Sequence, residues 1–488
     1  MNYKIMIRIH SWILLLASAF MAPALLISIV TSDRPAERGF TGAILITLAA
    51  AAVLRLVSRN AERKFYAREG LVCTGMAWIV LSLSGCLPFF LSGRIPNFID
   101  AFFEIVSGFT TTGASVVSDV EALGKGLLYW RSFSHWVGGM GVLVFFLAII
   151  PASGRNDGYM LHILRAESPG PSVNKIVPRM RDTAAILYIM YCVLTLLDIM
   201  FLLVGRMPVF DAVCIAFGTA GTGGFAVLNS GMAVYTPFAQ NVTTVFMLLF
   251  GVNFSIYYML LLKHVKQALF DEELRLYFGI VAASILFTAV NVYRCMPETA
   301  NVEGTIRHSA FQVASIITTT GYSTLDFDKW PGFSKAILLC LMFVGASAGS
   351  TGGGIKVSRV LLLIKNLRRN AHQIFHPHEV RIVRMNGSRV PEQTMSNVNN
   401  YLAAYVIIVI VSFLLLALDR GNFSLTTDFS AVMATFNNIG PGFDAVGPTQ
   451  NFSCYGNLST LVMAFDMLLG RLEIFPILAL FAPSTYKE

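Results

Sequence analysis

Charge is scarce in this sequence. Of 488 residues only 13% are Asp, Glu, Lys or Arg, while 55% are hydrophobic, and the mean hydropathy is +0.65. Such a balance excludes an ordinary soluble enzyme and indicates a polytopic membrane protein. Paired cysteines are missing too. The seven cysteines, Cys73, Cys86, Cys192, Cys214, Cys295, Cys340 and Cys454, form no Cys-x-x-Cys pair, and most read as small packed hydrophobes. Cys295 and Cys454 both fall in loops on the same expected side, which leaves a bridge between them open. The histidines have no metal-ligand spacing; His372, His376 and His378 sit in a basic linker and read as solvated. There is no serine-nucleophile elbow, phosphate-binding loop or zinc signature, so the chain is expected to be no enzyme and to hold no organic cofactor.

What is present is a series of apolar runs. A span needs about 20 mostly apolar residues. Candidates begin near Trp12, Gly39, Leu71, Leu127, Thr183, Thr243, Leu276, Phe333, Tyr401 and Leu458, which predicts ten helices. The first is long and lacks a distinct cleavage site, so it reads as a retained span rather than a signal peptide. Basic residues fill alternate loops. Arg55, Arg59, Arg63, Lys64 and Arg68 follow the second span; Arg155, Arg165, Lys175, Arg179 and Arg181 the fourth; Lys263, Lys266 and Arg275 the sixth. Lys356, Arg359, Lys365, Arg368, Arg369, Arg381, Arg384 and Arg389 follow the eighth. The positive-inside rule then puts both termini and these linkers in the cytoplasm. Charges flanking membrane spans argue for contact with lipid and against a nucleic-acid partner.

Four glycine-centred segments recur between the runs: Thr-Thr-Thr-Gly at 110–113, Gly-Thr-Gly-Gly at 221–224, Thr-Thr-Thr-Gly at 318–321 and Asn-Asn-Ile-Gly at 437–440. A short apolar stretch precedes each. Asp100, Asp211, Ser309 and Asp428 read as N-caps of helices over Ala101–Phe109, Ala212–Phe217, Ala310–Ile317 and Phe429–Phe436. These are too short to cross a bilayer and must enter partway, shielded by the rest of the protein. Their C-terminal ends carry partial negative charge, which favours a cation on the common axis. Glycine reaches positive φ without steric cost, threonine adds a hydroxyl, and oxygen ligands suit an alkali cation. A ring of backbone carbonyls can replace the water shell of such an ion. The predicted architecture is therefore all-α and polytopic, with four pseudo-repeated helix–pore-helix–helix units around one pore and two extra N-terminal helices. The expected boundaries are 1–69 for the N-terminal pair, then 70–181, 182–274, 275–395 and 396–488 for the four units.

With these motifs in order over essentially its whole length, the chain resembles the Trk/Ktr/HKT superfamily of potassium transporters, and within it the bacterial TrkH-type subunit. The extra N-terminal pair of spans is part of that likeness. The resemblance implies potassium uptake across the bacterial inner membrane, with potassium as the transported ion. It implies ion sites, mainly backbone carbonyls, at Thr110, Thr111, Thr112 and Gly113, at Ala220, Gly221, Thr222 and Gly223, at Thr318, Thr319, Thr320 and Gly321, and at Asn437, Asn438, Ile439 and Gly440. Some plant relatives with serine at the first filter glycine pass sodium; Gly113 argues for potassium. The fourth segment departs from the threonine-rich pattern, which implies a ring without fourfold symmetry and weaker selectivity.

Two gate features are expected. The run 345–354 contains Gly345, Gly349, Gly352, Gly353 and Gly354 and is poorly suited to a continuous helix. Arg471 lies within the last apolar run, where a charge is expensive and faces a polar interior, with Glu473 placed to neutralise it in part. In the family resembled, the glycine run is an intramembrane loop beneath the filter, and a basic residue faces the pore. The same resemblance implies a homodimer bound to a cytosolic, nucleotide-binding TrkA-type ring. The rival reading is a secondary carrier coupling cation and small-solute transport, which predicts paired broken helices around a midplane site. Here one long helix reads as clearly broken.

Overall fold

The computed structural model describes residues 1–59, 67–141, 180–296 and 301–486. The basic positions Arg63, Lys64, Arg155, Arg165, Lys175 and Arg179 lie outside these residues, as does the end of the fourth expected span. The described chain is helical apart from one two-stranded hairpin, Arg384–Met385 with Ser388–Arg389. Asn386 and Gly387 turn it at φ 49° and 77°, a pairing of residues that tolerates left-handed backbone in a two-residue turn.

Helices Tyr3–Val30 and Arg34–Val57 form an antiparallel N-terminal pair, capped at their junction by Asp33, whose side chain accepts from the Ala36 N–H. Four units follow. Each begins with a long helix: Ala67–Gly85, Met180–Val204, Glu272–Cys295 and Glu392–Leu416. Their outer faces expose large apolar side chains such as Leu196, Met200, Leu286, Phe287 and Ile410, the expected surface against hydrocarbon. Next comes a short helix buried mainly over its C-terminal part: Phe98–Phe109, Val209–Gly221, Val302–Ile317 and Leu425–Phe436. A second long segment closes each unit.

Ten spans are expected from the sequence, with one of these second segments broken; the structure interrupts more than one. Among the described residues six helices are long and apolar enough to cross a membrane, or seven if the bent pair Pro237–Phe250 and Phe254–Leu261 is one span. The closing helices of units two, three and four are interrupted, and the rest of the one in unit one lies outside the described residues. In unit one Lys125–Gly139 ends at Met140 and Gly141. In unit two the bend between the pair is 88°. In unit three Gly332–Val344 stops and Val357–Phe375 resumes. In unit four Asn457–Arg471 stops and Phe475–Phe481 resumes. Among the described residues the reading of a single broken helix is thus too few by two.

The expected N-caps are also corrected. Asp100, Asp211 and Asp428 lie in the first helical turn, and Ser309 lies mid-helix. The capping side chains are Asn97, Asn301 and Ser424, with Pro208 opening the second short helix. First-turn carboxylates still favour the positive helix end, but they do so without taking the cap position. Asp211 and Asp428 instead accept from the hydroxyls of Tyr235 at 2.9 Å and Tyr455 at 2.8 Å. Cys295 and Cys454 are both free thiols, so no bridge joins those loops.

The N-terminal pair packs closely against unit one. A methyl group on Gly39 would sit 2.7 Å from the Pro88 carbonyl oxygen and 2.9 Å from Ser92 Cβ. Small residues allow such approach where helices pack in lipid. Gly39→Leu should therefore cost about 1–3 kcal/mol through overpacking, seen as a lower thermal midpoint of the detergent-purified protein. Gly279→Leu, where an added Cβ meets nothing within 4 Å, should not lower that midpoint.

Candidate ion pathway

The short helices end on four segments with one repeated backbone. Thr111, Thr222, Thr319 and Asn438 all adopt left-handed φ, at 57°, 56°, 57° and 55°. Two residues later Gly113, Gly224, Gly321 and Gly440 do so again, at 82°, 74°, 85° and 103°. Between them the N–H groups of Thr112, Gly223, Thr320 and Ile439 each donate to the carbonyl five residues back, all at 2.8 Å. Left-handed backbone is costly for residues other than glycine, so finding it at the same step of all four units marks one shared geometry.

The four segments close on one another. A methyl group on Gly113 would collide with the Gly223 carbonyl, one on Gly224 with Thr320, one on Gly321 with Ile439, and one on Gly440 with Thr112. Unit one therefore touches two, two touches three, three touches four, and four returns to one. The carbonyls of Thr112, Gly223, Thr320 and Ile439 lie at the four seams of this ring. Threonine hydroxyls turn to local partners: Thr110 donates to Val106 O at 2.7 Å, Thr318 to Ala314 O at 2.6 Å, and Thr110–Thr112 and Thr318–Thr320 pair at 2.8 Å. In the fourth unit Asn438 Nδ2 donates to Thr112 Oγ1 and to Met467 O, each at 2.9 Å.

This geometry corrects the register expected in unit two. The equivalent of Thr110–Gly113 is Gly221–Gly224, so Gly224 joins the ring and Ala220 falls one step outside it. Gly223 has its own constraint, because a methyl there would meet the His135 imidazole. That ring is buried, with Nδ1 2.9 Å from Gly108 O.

On one side of the ring lies the glycine run of unit three. Gly345, Gly349 and Gly354 take φ of 71°, 70° and 74°. Gly353 N donates to Thr319 Oγ1 at 2.6 Å, and added atoms on Gly352 would come within 2.9 Å of Thr318 O. Gly353 itself packs on the Asn437 carbonyl. The loop thus lies against the ring entrance formed by units three and four. The break in unit two anchors it: Ser347 N donates to Gly251 O at 3.1 Å, Phe254 N to Gly349 O at 3.1 Å, and Thr351 Oγ1 to Phe250 O at 3.3 Å. Glu273, buried on the first helix of unit three, accepts from both ends of the loop, Ala348 N at 2.6 Å and Ser358 N at 3.2 Å.

Arg471 completes this layer. Its guanidinium donates to Thr351 O at 2.8 Å and to Gly138 O and Gly139 O at 2.5 and 2.7 Å. It therefore joins the loop of unit three to the inner-helix end of unit one. Glu473, expected to neutralise it in part, pairs with Arg359. Glu473 and Ile474 take φ of 54° and 71°, turning the chain sharply after Arg471. Asp466, on the same helix, accepts from Ser412 Oγ at 2.7 Å.

On the other side of the ring is a cavity of about 480 Å³. All four units line it, through residues such as Gly113, Ser115, Gly224, Tyr322, Asp326 and Pro441. Among the described residues no group of three or more His, Cys, Asp or Glu is placed to hold a metal ion.

The register makes a testable distinction. Gly223→Ala meets a side chain and should lower the thermal midpoint less in a His135→Ala background than alone. Gly224→Ala meets backbone at positive φ, with about 1–2 kcal/mol of conformational cost on top of the collision, and His135→Ala should restore nothing.

A family profile described as "TrkH: Cation transport protein" matches residues 36–487. The chain is 34% identical over 495 residues to the Trk system potassium uptake protein TrkH of Salmonella typhimurium, covering 100% of each. It is 33% identical over 419 residues to the Trk system potassium uptake protein TrkG of Escherichia coli K12, covering 85% of this chain and 84% of that one. The crystal structure of the potassium transporter TrkH from Vibrio parahaemolyticus superposes with a TM-score of 0.88 at 30% identity, over 100% of both chains. Fold, ring and sequence agree: the chain belongs to the TrkH family of cation transport proteins.

Proposed function

We propose that this protein takes up potassium across the bacterial inner membrane through a gated pore whose filter is the ring of four glycine segments. The observation that carries this reading is the closed cycle of backbone contacts from Gly113 through Gly224, Gly321 and Gly440. Four main-chain carbonyls at equivalent steps, Thr112, Gly223, Thr320 and Ile439, can take the place of water around a dehydrated potassium ion. No covalent chemistry is needed, and potassium is cargo rather than cofactor. Each charge moving inward gains about 2.3 kcal/mol per 100 mV of inside-negative potential, enough to drive accumulation without a nucleotide site on this chain.

The loop 345–356 and Arg471 are the gate. Glycine backbone seated on the Thr318 and Asn437 carbonyls obstructs the path, and the guanidinium fastens it while placing positive charge beneath the filter. Opening requires the loop to leave the ring, releasing Arg471 from Thr351. The basic linker that follows, with Arg368, Arg381, Arg384 and Arg389 exposed, is the surface on which a cytosolic TrkA-type ring acts. The protein works as a homodimer with both termini in the cytoplasm. The carrier alternative is weaker. Its paired broken helices belong to inverted repeats, whereas the breaks here recur in the closing helices of units two, three and four, in units of the same order.

Potassium flux into liposomes and reversal potentials across potassium and sodium gradients test the proposal. Wild-type protein should discriminate against sodium, and Gly113→Ser should reduce that discrimination. Hydrogen bonds to charged groups contribute about 1.5–3 kcal/mol, and about 1.4 kcal/mol is tenfold in a population. Arg471→Ala should therefore raise flux by roughly tenfold where the loop limits it. Absence of potassium-selective current in wild type removes the transport reading. Unchanged flux in Arg471→Ala removes the gate alone.

A further inference from the structure

One buried ion pair beside the ring has no counterpart at the equivalent step of the other units among the described residues. Glu104 stands on the first short helix, nine residues before Gly113. The same step holds Ile215, Gln312 and Ala431 in the other units. Glu104 is fully buried and pairs with Arg131, whose Nε donates to its Oε1 at 2.7 Å. Glu104 also accepts from Ser115 Oγ at 3.0 Å and Val116 N at 3.0 Å. Arg131 reaches onward to Ser115 Oγ at 3.2 Å and to Ala226 O at 3.4 Å, and its guanidinium lies 3.9 Å over the Phe225 ring. It clamps the backbone that leaves the ring in unit one to the backbone that leaves it in unit two.

The clamp has an electrostatic drawback. Among the described residues Arg131 is the one Lys or Arg side chain that lines the cavity leading to the ring. An uncompensated cation there repels an approaching alkali ion, and the low dielectric of the surrounding protein strengthens the effect. Every hydrogen bond that Arg131 makes on its unit-two side is to a neutral group, so those contacts hold it in place without offsetting its charge.

We infer that Glu104 is a positioning residue that sets the apparent potassium affinity of the pore, by cancelling the charge of the Arg131 clamp in the cavity wall. This rests on the transport reading above. The carboxylate touches no ion. It lets unit one hold unit two with a guanidinium while the cavity stays permissive to cations. The asymmetry follows, because a unit without an arginine clamp needs no acid, and the equivalent step there is free to hold Ile, Gln or Ala.

The test is potassium influx into liposomes by the full-length protein, measured against potassium concentration at low and high choline chloride. Glu104→Gln should raise the half-saturating concentration roughly tenfold at low ionic strength. Salt should shrink the difference, since the screening length falls from about 30 Å at 0.01 M to about 10 Å at 0.1 M. Arg131→Gln and Glu104→Gln/Arg131→Gln, which add no positive charge, should show no such rise. Packing alone predicts the opposite ranking, with the double variant at least as impaired as either single. The inference is overturned if Glu104→Gln keeps the wild-type half-saturation at both salts, or if Arg131→Gln or the double variant rises as far as Glu104→Gln. Where Glu104→Gln does not assemble, half-saturation near that of wild type in Arg131→Gln and the double variant is the expected result, and a roughly tenfold rise over wild type in either overturns the inference. Failure of wild-type protein to carry potassium removes the transport reading instead, and is distinguished by that control.

Discussion

Four stretches of main chain meet here at distances that leave no room for a side chain, and most of the architecture serves that approach. Each of Gly113, Gly224, Gly321 and Gly440 has the next unit's carbonyl where a Cβ would be. The backbone can come that close only if the preceding helix delivers it at a fixed height and the chain turns through left-handed conformations twice in three residues. The short helices provide the delivery. Their C-terminal parts are buried, so those ends cannot drift, and the five-residue hydrogen bond after each helix fixes the turn. The long outer helices then supply lipid-facing surface and hold the short ones upright.

A second layer depends on the first. The closing helices of units two, three and four are interrupted beneath the ring, and the freed backbone groups find partners there and at the helix end Gly138–Gly139 of unit one. Gly251 O, Gly349 O, Thr351 O, Gly138 O and Gly139 O are all satisfied by backbone N–H groups or by Arg471. Irregular backbone at membrane depth is tolerated when protein buries it, and here three interruptions bury each other. Loop, bend and guanidinium therefore form one connected structure. Next to it, Lys365 pairs with Glu272, and Asn386 binds Asp271 and Glu272, so the hairpin is tied to the residues adjoining Glu273.

How much of this could be read from residues alone depended on whether a conformation demands a particular amino acid. Positive φ with a close neighbour demands glycine, so the four segments and the run 345–354 stood out. Unit two offers Gly221, Gly223 and Gly224 together, and with three candidates the register slipped by one. Breaks that use other residues stayed hidden. The turn after Arg471 is made by Glu473 and Ile474, and a β-branched residue at φ 71° has no compositional signature. Gly251 alone does not announce an 88° bend. The caps were misplaced because Asp is common both at the cap and in the first turn, and only Asn97, Asn301 and Ser424 have the hydrogen bonds that distinguish them. The hairpin had a legible signal, Asn386-Gly387, in a stretch otherwise occupied by basic residues.

A single polypeptide supplies all four quarters. In a ring assembled from identical subunits any change is made four times over, and a residue that suits one quarter must suit every other. Here the quarters are free to diverge, with an amide at Asn438 where the others have threonine, an ion pair in one wall and a hinged loop under another. Fusion of the repeats allows specialised tasks to be divided around one axis, and it makes every substitution a local experiment on a single quadrant.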